Sequence, residues 1–564
     1  MKTNKRTLAI LTAGLLIATP VVSTGITAFA DTITVNNSTS GYSYSAYKIF
    51  SGDISGGKLI HIDWAPSNEF NSATFITKLQ ADSLLGTDFS NISSANDAVL
   101  ILIGYNETTD VAKLAQFAKL AKECVVSAAG TQNAQTGTTY PITVSDSGYY
   151  LIEETNSDSD EPISRYMLKV AGDTTVDPKR PQPSLTKVIT NSNPNDDGSA
   201  NTASIGDIVS YEITSAVPDR TGYDKYFFII NDTLESGLSF NESSVAVSIG
   251  ETPLTKNTDY YIKTTGIGSK TFEIVFNNFI NRTEAIGTPI TVTYNATVNN
   301  NATAGNSAAD ANTNTASLTY SNNPNITSDG HSDYPNEPDS DDPVGKTPDQ
   351  TTYTYLTEIV IEKVDKTNHN VKLPNAKFEL TGASLNSVLH ESGLYVKNNA
   401  ANPAYYLLTD GTYTLTPPTT PLPSTYISDQ KYAFTIASSV SASETKVTAY
   451  GESDATGILT FGKLGEGTYT IIETAPPTGY NKLSAPIKVE ITATPSSEGC
   501  SWTYTPLTGG SFDQNKLTIE NASGATLPST GGIGTKLFYI IGSLLVLGSI
   551  VLLVTKKRMG SKEN

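Results

Sequence analysis

Apolar and polar residues alternate with a period of two along most of this chain, the pattern of half-buried β-strands. The alternation is clear at 41–50, 149–152 and 166–170, again at 208–214, 227–230, 290–294 and 316–320, and a third time at 359–365, 469–474 and 517–521. One stretch departs from it. Within 95–122, Val111, Leu114, Phe117, Ala118 and Ala121 follow the polar cluster 106–110 at helical spacing, which predicts a helical insert in the first region. Pro178, Pro181 and Pro183 punctuate a junction, and 322–350 is acidic and rich in Pro, Asn and Asp with no apolar period. These breaks predict an N-terminal domain at 31–180, a second at 181–321, an acidic linker or irregular crossing at 322–352, and a third at 353–525 with a Pro-rich insertion around 417–423. The fold class expected is all-β: tandem immunoglobulin-like β-sandwiches, the first with a helical insert. No region shows the strand–helix repetition of a Rossmann or barrel enzyme.

The two ends carry a different pattern. Lys2, Lys5 and Arg6 precede an apolar run at 8–17 and a small-x-small site at Ala28-Phe29-Ala30, the make-up of a signal peptide over 1–30 that leaves Asp31 first. Near the other end an apolar run covers 537–554, followed by Lys556-Lys557-Arg558. As a helix at ~1.5 Å per residue it reaches roughly 27 Å, enough to cross a hydrocarbon core, and the basic cluster belongs on the cytoplasmic side. Just before it stands Leu527-Pro528-Ser529-Thr530-Gly531. Taken together, 526–564 resembles the LPxTG cell-wall sorting signal of Gram-positive surface proteins. The resemblance implies that sortase cuts between Thr530 and Gly531, holds the Thr530 carbonyl as a thioester and passes it to an amine. A tail-anchored membrane protein is the alternative, and the export signal argues against it.

Composition narrows the class. A length of 564 residues suggests three or four domains. The net charge is −19; the leader contributes +3 and the tail from Gly531 +4, so the chain between them carries −26. Such a surface is unsuited to nucleic acid or an anionic membrane. Cys124 and Cys500, in different regions, offer no disulfide framework to an exported protein, whose stability must come from elsewhere. His61, His331, His369 and His390 are scattered without metal-ligand spacing, and the acidic clusters at 196–197 and 339–342 read as solvated charge. Neither a metal, a cofactor nor a classical catalytic constellation is expected.

Other residues do suggest chemistry. The third region opens on 359–365, with Lys363 after an apolar strand, passes Tyr469-Thr470-Ile471-Ile472-Glu473-Thr474-Ala475-Pro476-Pro477-Thr478-Gly479-Tyr480, and closes on 517–521 with Asn521 last. It resembles a collagen-adhesin B-type domain, and 469–480 (Tyr469, Glu473, Gly479, Tyr480) resembles the pilin E-box. The resemblance implies an internal Lys363–Asn521 isopeptide bond promoted by Glu473. Burial suits those residue types: it disfavours the ammonium and the carboxylate alike, leaving an amine that can attack and an acid that can shuttle protons. The second region resembles a collagen-adhesin A-type domain, with Lys187 on its first strand, Asp232 in 231–234 followed by Gly237-Leu238, and Asn314 opening its last strand. Here the resemblance implies Lys187 as nucleophile, Asp232 as acid and Asn314 as acceptor; Asn312 is the rival acceptor and Glu273 the rival acid. At the junction, Val176-Asp177-Pro178-Lys179 resembles the pilin motif, with Asp177 where a Tyr is usual. The resemblance implies Lys179 as the intermolecular nucleophile; Lys187 and Lys169 are the nearby alternatives, and Arg180, always charged, cannot serve. Lys48 lies on the opening strand, but Arg180 stands where some relatives carry an acceptor Asn, so no internal bond is expected in the first domain.

As a whole the chain resembles a sortase-assembled backbone (major) pilin. The resemblance implies a structural protein and not an enzyme, located in a cell-wall-anchored pilus that supports adhesion. Its partners would be pilus-type and housekeeping sortases, further copies of itself, accessory pilins, peptidoglycan and host matrix proteins. Alternatives are a wall-anchored matrix-binding adhesin that never polymerises, an accessory pilin, and, least supported, a surface hydrolase.

Overall fold

The computed structural model describes residues 31–133, 138–170, 174–180, 182–191, 198–382, 388–390, 393–401, 404–408, 413–414, 417–435, 449–524 and 533–559. The leader at 1–30 and the Leu527–Gly531 motif lie outside the described residues. Strands dominate, arranged as successive pairs of sheets.

In the first region one sheet runs Lys58–Trp64, Tyr42–Ser55, Gly148–Asn156, Met167–Val170, with Gly130–Gln132 added to the Tyr42–Ser55 strand. The second sheet has Asp31–Asn36 at its centre, antiparallel to Thr139–Val144 and parallel to Thr174–Val176. Inward residues of both sheets, among them Ile33, Val35, Tyr44, Ile142 and Ile152, fill the space between them. The helical insert is larger than the sequence pattern indicated. Ser72–Ala81 and Gly86–Phe89 come before Ala95–Leu102 and Val111–Lys122, and 95–122 is two helices rather than one. The start at Ala95 is set by a capping box between Ser94 and Asp97. Asn106 and Asp110, whose side chains accept from the turn backbone, separate the second helix from the first. The helices bury Phe75, Leu79, Phe89 and Phe117 against the outer face of the sheet at Ile49, Phe50 and Leu151.

The second sandwich pairs Thr186–Ile189, Ile208–Ala216, Pro289–Val298 and Leu238–Ile249 in one sheet with Phe228–Leu234, Phe272–Phe276, Tyr260–Lys263, Asn312–Ser321 and Gln350–Tyr355 in the other. The stretch expected as a linker at 322–352 is built into this sheet. Val344–Lys346 and Gln350–Tyr355 both pair antiparallel with Asn312–Ser321. Its lack of apolar period reflects its part between 322 and 343, where acidic side chains cap their own turns, as Asp342 does for the Asp329, Gly330 and Asp339 amides. The boundary expected at 353 therefore falls inside a strand. Leu356, one residue past it, is buried in the second core, and Thr357–Asp365 begins the third sandwich at once.

In the third, Thr357–Asp365 lies between Ile458–Leu464 and, in parallel, Lys516–Asn521. The facing sheet runs Ala449–Glu452, Lys377–Gly382, Gly467–Ala475, Ile487–Ser496, Gly499–Thr508. Both junctions are closed by hydrogen bonds. Asn322 accepts from the Ile163 amide at 2.8 Å and donates from Nδ2 to the Ser159 carbonyl at 2.6 Å, while Asn325 bonds both Tyr166 N and Ser164 O. Between the second and third sandwiches, Ile205 N donates to Lys463 O, Thr202 to Glu466, and Trp502 Nε1 to Gly305 O.

Asn322→Ala removes the side-chain donor to the Ser159 and Glu161 carbonyls. The expected loss is about 1 kcal/mol at that junction. It should read as several-fold faster amide exchange at Ile163 with the second core unaffected; unchanged exchange would contradict the assignment.

Candidate functional site

Inside the second sandwich a lysine occupies an inward position of a strand. In Thr186–Ile189 the inward side chains are Lys187 and Ile189, and Lys187 is fully covered. It faces the other sheet, where Phe228, Ile230, Asp232 and Leu234 alternate inward, as do Asn312, Asn314, Ala316 and Leu318. Lys187 Nζ lies 2.5 Å from Asp232 Oδ2, 2.8 Å from Asn314 Oδ1 and 2.6 Å from Tyr294 Oη. Tyr294 Oη donates to Asp232 Oδ2 at 2.6 Å and accepts from Asn314 Nδ2 at 2.9 Å. The cluster thus ties three of the four side chains' polar ends to one phenol, and it spans both sheets. Tyr211 closes it from the side, its ring 5.2 Å from Lys187 Nζ.

The electrostatics follow from burial. Desolvation brings the Lys187 ammonium down to about 8 despite its carboxylate neighbour, and the same desolvation raises Asp232 above the usual carboxylate range. Asp232 Oδ1 is buried with no hydrogen-bond partner among the described residues. A dry, unpartnered oxygen costs less on a neutral carboxyl than on an anion. A proton shared toward Asp232 leaves a neutral amine against the Asn314 amide, which is the arrangement nucleophilic attack on that amide needs.

The third sandwich builds a second cluster from a different strand pairing. Ile359, Ile361 and Lys363 are successive inward positions, and so are Leu517, Ile519 and Asn521. The two strands run parallel with Lys363 opposite Ile519, which puts Asn521 one inward step further on. Glu473 reaches in from the facing sheet, buried like the other two. Glu473 Oε1 lies 3.7 Å from Lys363 Nζ and accepts from Asn521 Nδ2 at 2.8 Å, while Oε2 accepts the Leu483 amide at 2.7 Å. Burial brings Lys363 down to about 8. Asn521 Oδ1 is buried with no hydrogen-bond partner among the described residues. Of the E-box positions, Tyr469 is fully buried and donates to Gly465 O at 2.8 Å, Gly479 takes a φ of +86°, and Tyr480 bridges to Ser523.

The rival side chains sit elsewhere. Asn312 is committed to the Thr303 backbone in both directions and to Thr354 O. Glu273 pairs with Lys270. In the first region Lys48 is buried but faces Asp146 and Glu69, with Asp146 half exposed. Lys179 is exposed at the junction of the first and second sandwiches. Tyr294 is the functional side chain that sequence reasoning passed over; it lay in a recognised strand, on the face that alternation turns inward, with no motif to distinguish it. The Cys124 and Cys500 thiols are both free and buried, in separate cores. Among the described residues no group of His, Cys, Asp or Glu is placed to hold a metal. The Ile533–Met559 helix contains a span at Leu537–Arg558 with mean hydropathy 2.7, long and apolar enough to cross a membrane.

Comparison with known proteins gives matches along the second and third regions and the tail. A Gram-positive pilin backbone subunit 2, Cna-B-like domain family matches 205–324, a prealbumin-like fold domain family matches 434–503, and the LPXTG cell wall anchor motif matches 519–559. A curated relative, the trypsin-resistant surface T6 protein of Streptococcus pyogenes serotype M6, is 27% identical over 398 residues, covering 67% of this chain and 69% of that protein. Among solved structures, the T6 backbone pilin of the same serotype is 16% identical, covering 88% of this chain and 99% of that one, with a TM-score of 0.49. The major pilin SpaD of Corynebacterium diphtheriae is 15% identical over 89% and 99%, with a TM-score of 0.43.

Tyr294→Phe deletes the hydroxyl that Lys187, Asp232 and Asn314 share. With three buried partners left short, a loss of about 1–3 kcal/mol is expected, seen as a lower Tm for the second sandwich. An unchanged Tm would mean the phenol is dispensable there.

Proposed function

We propose that this chain, whose pilin-backbone domain and LPXTG anchor support a sortase-assembled major pilin of a Gram-positive cell surface, polymerises through Lys179 and Thr530 and locks its second and third sandwiches with Lys–Asn isopeptide bonds. The precursor is held in the membrane by the apolar helix, and the product is a cell-wall-anchored pilus. The protein is structural: its bond-forming groups act once, on the chain that carries them.

The observation that carries the reading is the Lys187 cluster, an amine in a closed core 2.8 Å from an Asn amide oxygen and 2.5 Å from a carboxyl raised by burial. In the proposed reaction Lys187 Nζ adds to the Asn314 side-chain carbon. Asp232 takes the amine's proton and returns it to the departing nitrogen, the carbon–Nδ2 bond breaks, and ammonia leaves. Tyr294 Oη, accepting from Asn314 Nδ2 and donating to Asp232, holds the departing nitrogen beside the acid. Lys363, Glu473 and Asn521 perform the same steps in the third sandwich. The contact distances supply the proximity term. Closing a loop of 127 residues restricts the unfolded chain by about 5 kcal/mol by analogy with a disulfide, and an amide cannot be reduced. That suits an exported protein whose two cysteines stay apart.

Between subunits, Lys179 Nζ attacks the Thr530 acyl carbon held on sortase. A carbon–nitrogen bond forms, the carbon–sulfur bond breaks, and the enzyme's thiol recovers the proton. Each subunit offers one acceptor and one donor at different places, so the contact is heterologous and extends as a filament. Peptidoglycan amine ends the chain; accessory pilins and host matrix proteins are further partners of this reading.

The intact mass of the exported domains should fall short of the sequence mass by two ammonias. Asp232→Ala and Glu473→Ala should each restore one, and a full sequence mass in the parent protein would sink the crosslinks. In cells, Lys179→Ala should replace the high-molecular-weight ladder by monomer; a surviving ladder would move the nucleophile elsewhere.

A further inference from the structure

The residue after the proposed nucleophile is held far more firmly than a surface junction requires. Arg180 turns back into the first sandwich, where its Nε and Nη2 grip Glu154 Oε1 and Oε2 at 2.9 and 2.6 Å. Nη2 also reaches Tyr44 Oη at 3.0 Å, Nη1 reaches Asn37 Oδ1 at 3.3 Å, and the guanidinium lies 3.8 Å from the Tyr42 ring centre. The Glu154 side chain is wholly covered, and its remaining capacity goes to Tyr44 Oη and the Ser164 amide. On the other side of Lys179, Val176 is buried and paired with Val35, and Asp177 accepts from Asn36 Nδ2 at 2.9 Å. The backbone is therefore pinned two residues before Lys179 and again immediately after it. Lys179 itself is exposed and makes no hydrogen bond or ion pair with a described residue.

We propose that Arg180 is the positioning residue of fibre assembly: its forked bond to Glu154, stacked on Tyr42, fixes the Asp177–Arg180 backbone so that the Lys179 amine is presented to the acyl group in one place. The inference rests on the reading of Lys179 as acceptor. A planar guanidinium suits the task because it meets both carboxylate oxygens and stacks at once, which an ammonium cannot do. Asp177, standing where the motif usually has a Tyr, finds Asn36, and Arg180 supplies a non-covalent lock in the sandwich where, among the described residues, no Lys–Asn pair meets.

The test follows ladder growth in cells producing the full chain with its own sortase, beside amide exchange of the purified protein. Arg180→Ala should slow assembly by about 10- to 100-fold, the range that loss of orientation commands. It should also speed exchange within 177–182, read at the Asp177, Lys179, Arg180 and Gln182 amides, while leaving Asp31–Asn36 and Thr139–Val144 protected. Arg180→Lys, which keeps the charge without the fork, should fall with the Ala variant. Release of the variant's own Thr530 acyl group to hydroxylamine should proceed at the parent rate. Because Arg180→Ala strands a buried carboxylate, Arg180→Ala with Glu154→Gln repeats the test without an unpaired charge and should assemble as slowly. Assembly at the parent rate in that double variant, or full activity in Arg180→Lys, overturns the proposal while a monomeric Lys179→Ala leaves the acceptor reading intact. Slow assembly without faster exchange at 177–182, or with exchange raised throughout the first sandwich, overturns it too. A ladder in Lys179→Ala removes the reading beneath it.

Discussion

A lysine on the apolar stripe of a first strand is the constraint around which the second and third sandwiches are arranged. Lys187 and Lys363 each stand where alternation demands a hydrophobic residue, next to Ile189 and Ile361. An unpaired ammonium there would be prohibitive. The folds answer with a carboxyl from the opposite sheet and an Asn amide from a later strand, and burial then moves both amines, and Asp232 in the second sandwich, toward their neutral forms. An ordinary buried ion pair is a poor source of stability, since desolvation consumes most of its attraction. In the proposed reaction, joining the lysine to its Asn as an amide would remove the ammonium from the core.

The two clusters reach this state by different routes. In the second sandwich Thr186–Ile189 lies in one sheet and Asn312–Ser321 in the other, so Lys187 and Asn314 meet across the core with Tyr294 between them. In the third, first and last strands are parallel neighbours, so Lys363 and Asn521 meet along one sheet and only Glu473 crosses the core. The acid differs too: Asp232 lies 2.5 Å from its lysine, while Glu473 stands 3.7 Å from Lys363 and accepts from Asn521 at 2.8 Å. The junctions extend the same economy. Leu356 belongs to one core and Thr357 to the next, so no free linker separates these two sandwiches.

Lys363 and Asn521 came from the family resemblance; the strand pattern and the apolar tail helix were legible because alternation and apolar run length report burial directly. The helices at Ser72–Ala81 and Gly86–Phe89 were not, since Ser, Thr and Gly break their apolar period and only Phe75, Leu79 and Phe89 are buried. Nor was the incorporation of 344–355 into the second sheet: an acidic, Pro-rich approach masks two short strands whose pairing is set by a partner thirty residues away.

What the sequence determines by itself is local: which residues alternate, where turns fall, which ends are apolar, and which residue types stand on which strand face. It also names candidates in pairs, Asn312 beside Asn314 and Asp232 beside Glu273, because a period of two turns positions 312 and 314 to the same face. Only the tertiary structure sets these apart in space. Asn312 is consumed by the Thr303 backbone and Glu273 by Lys270, while Asn314 and Asp232 alone face Lys187. Tyr294 and the Arg180–Glu154 clamp belong wholly to that second level. Each joins residues far apart in the chain, and such contacts arise from how sheets stack and strands cross, which no single segment encodes.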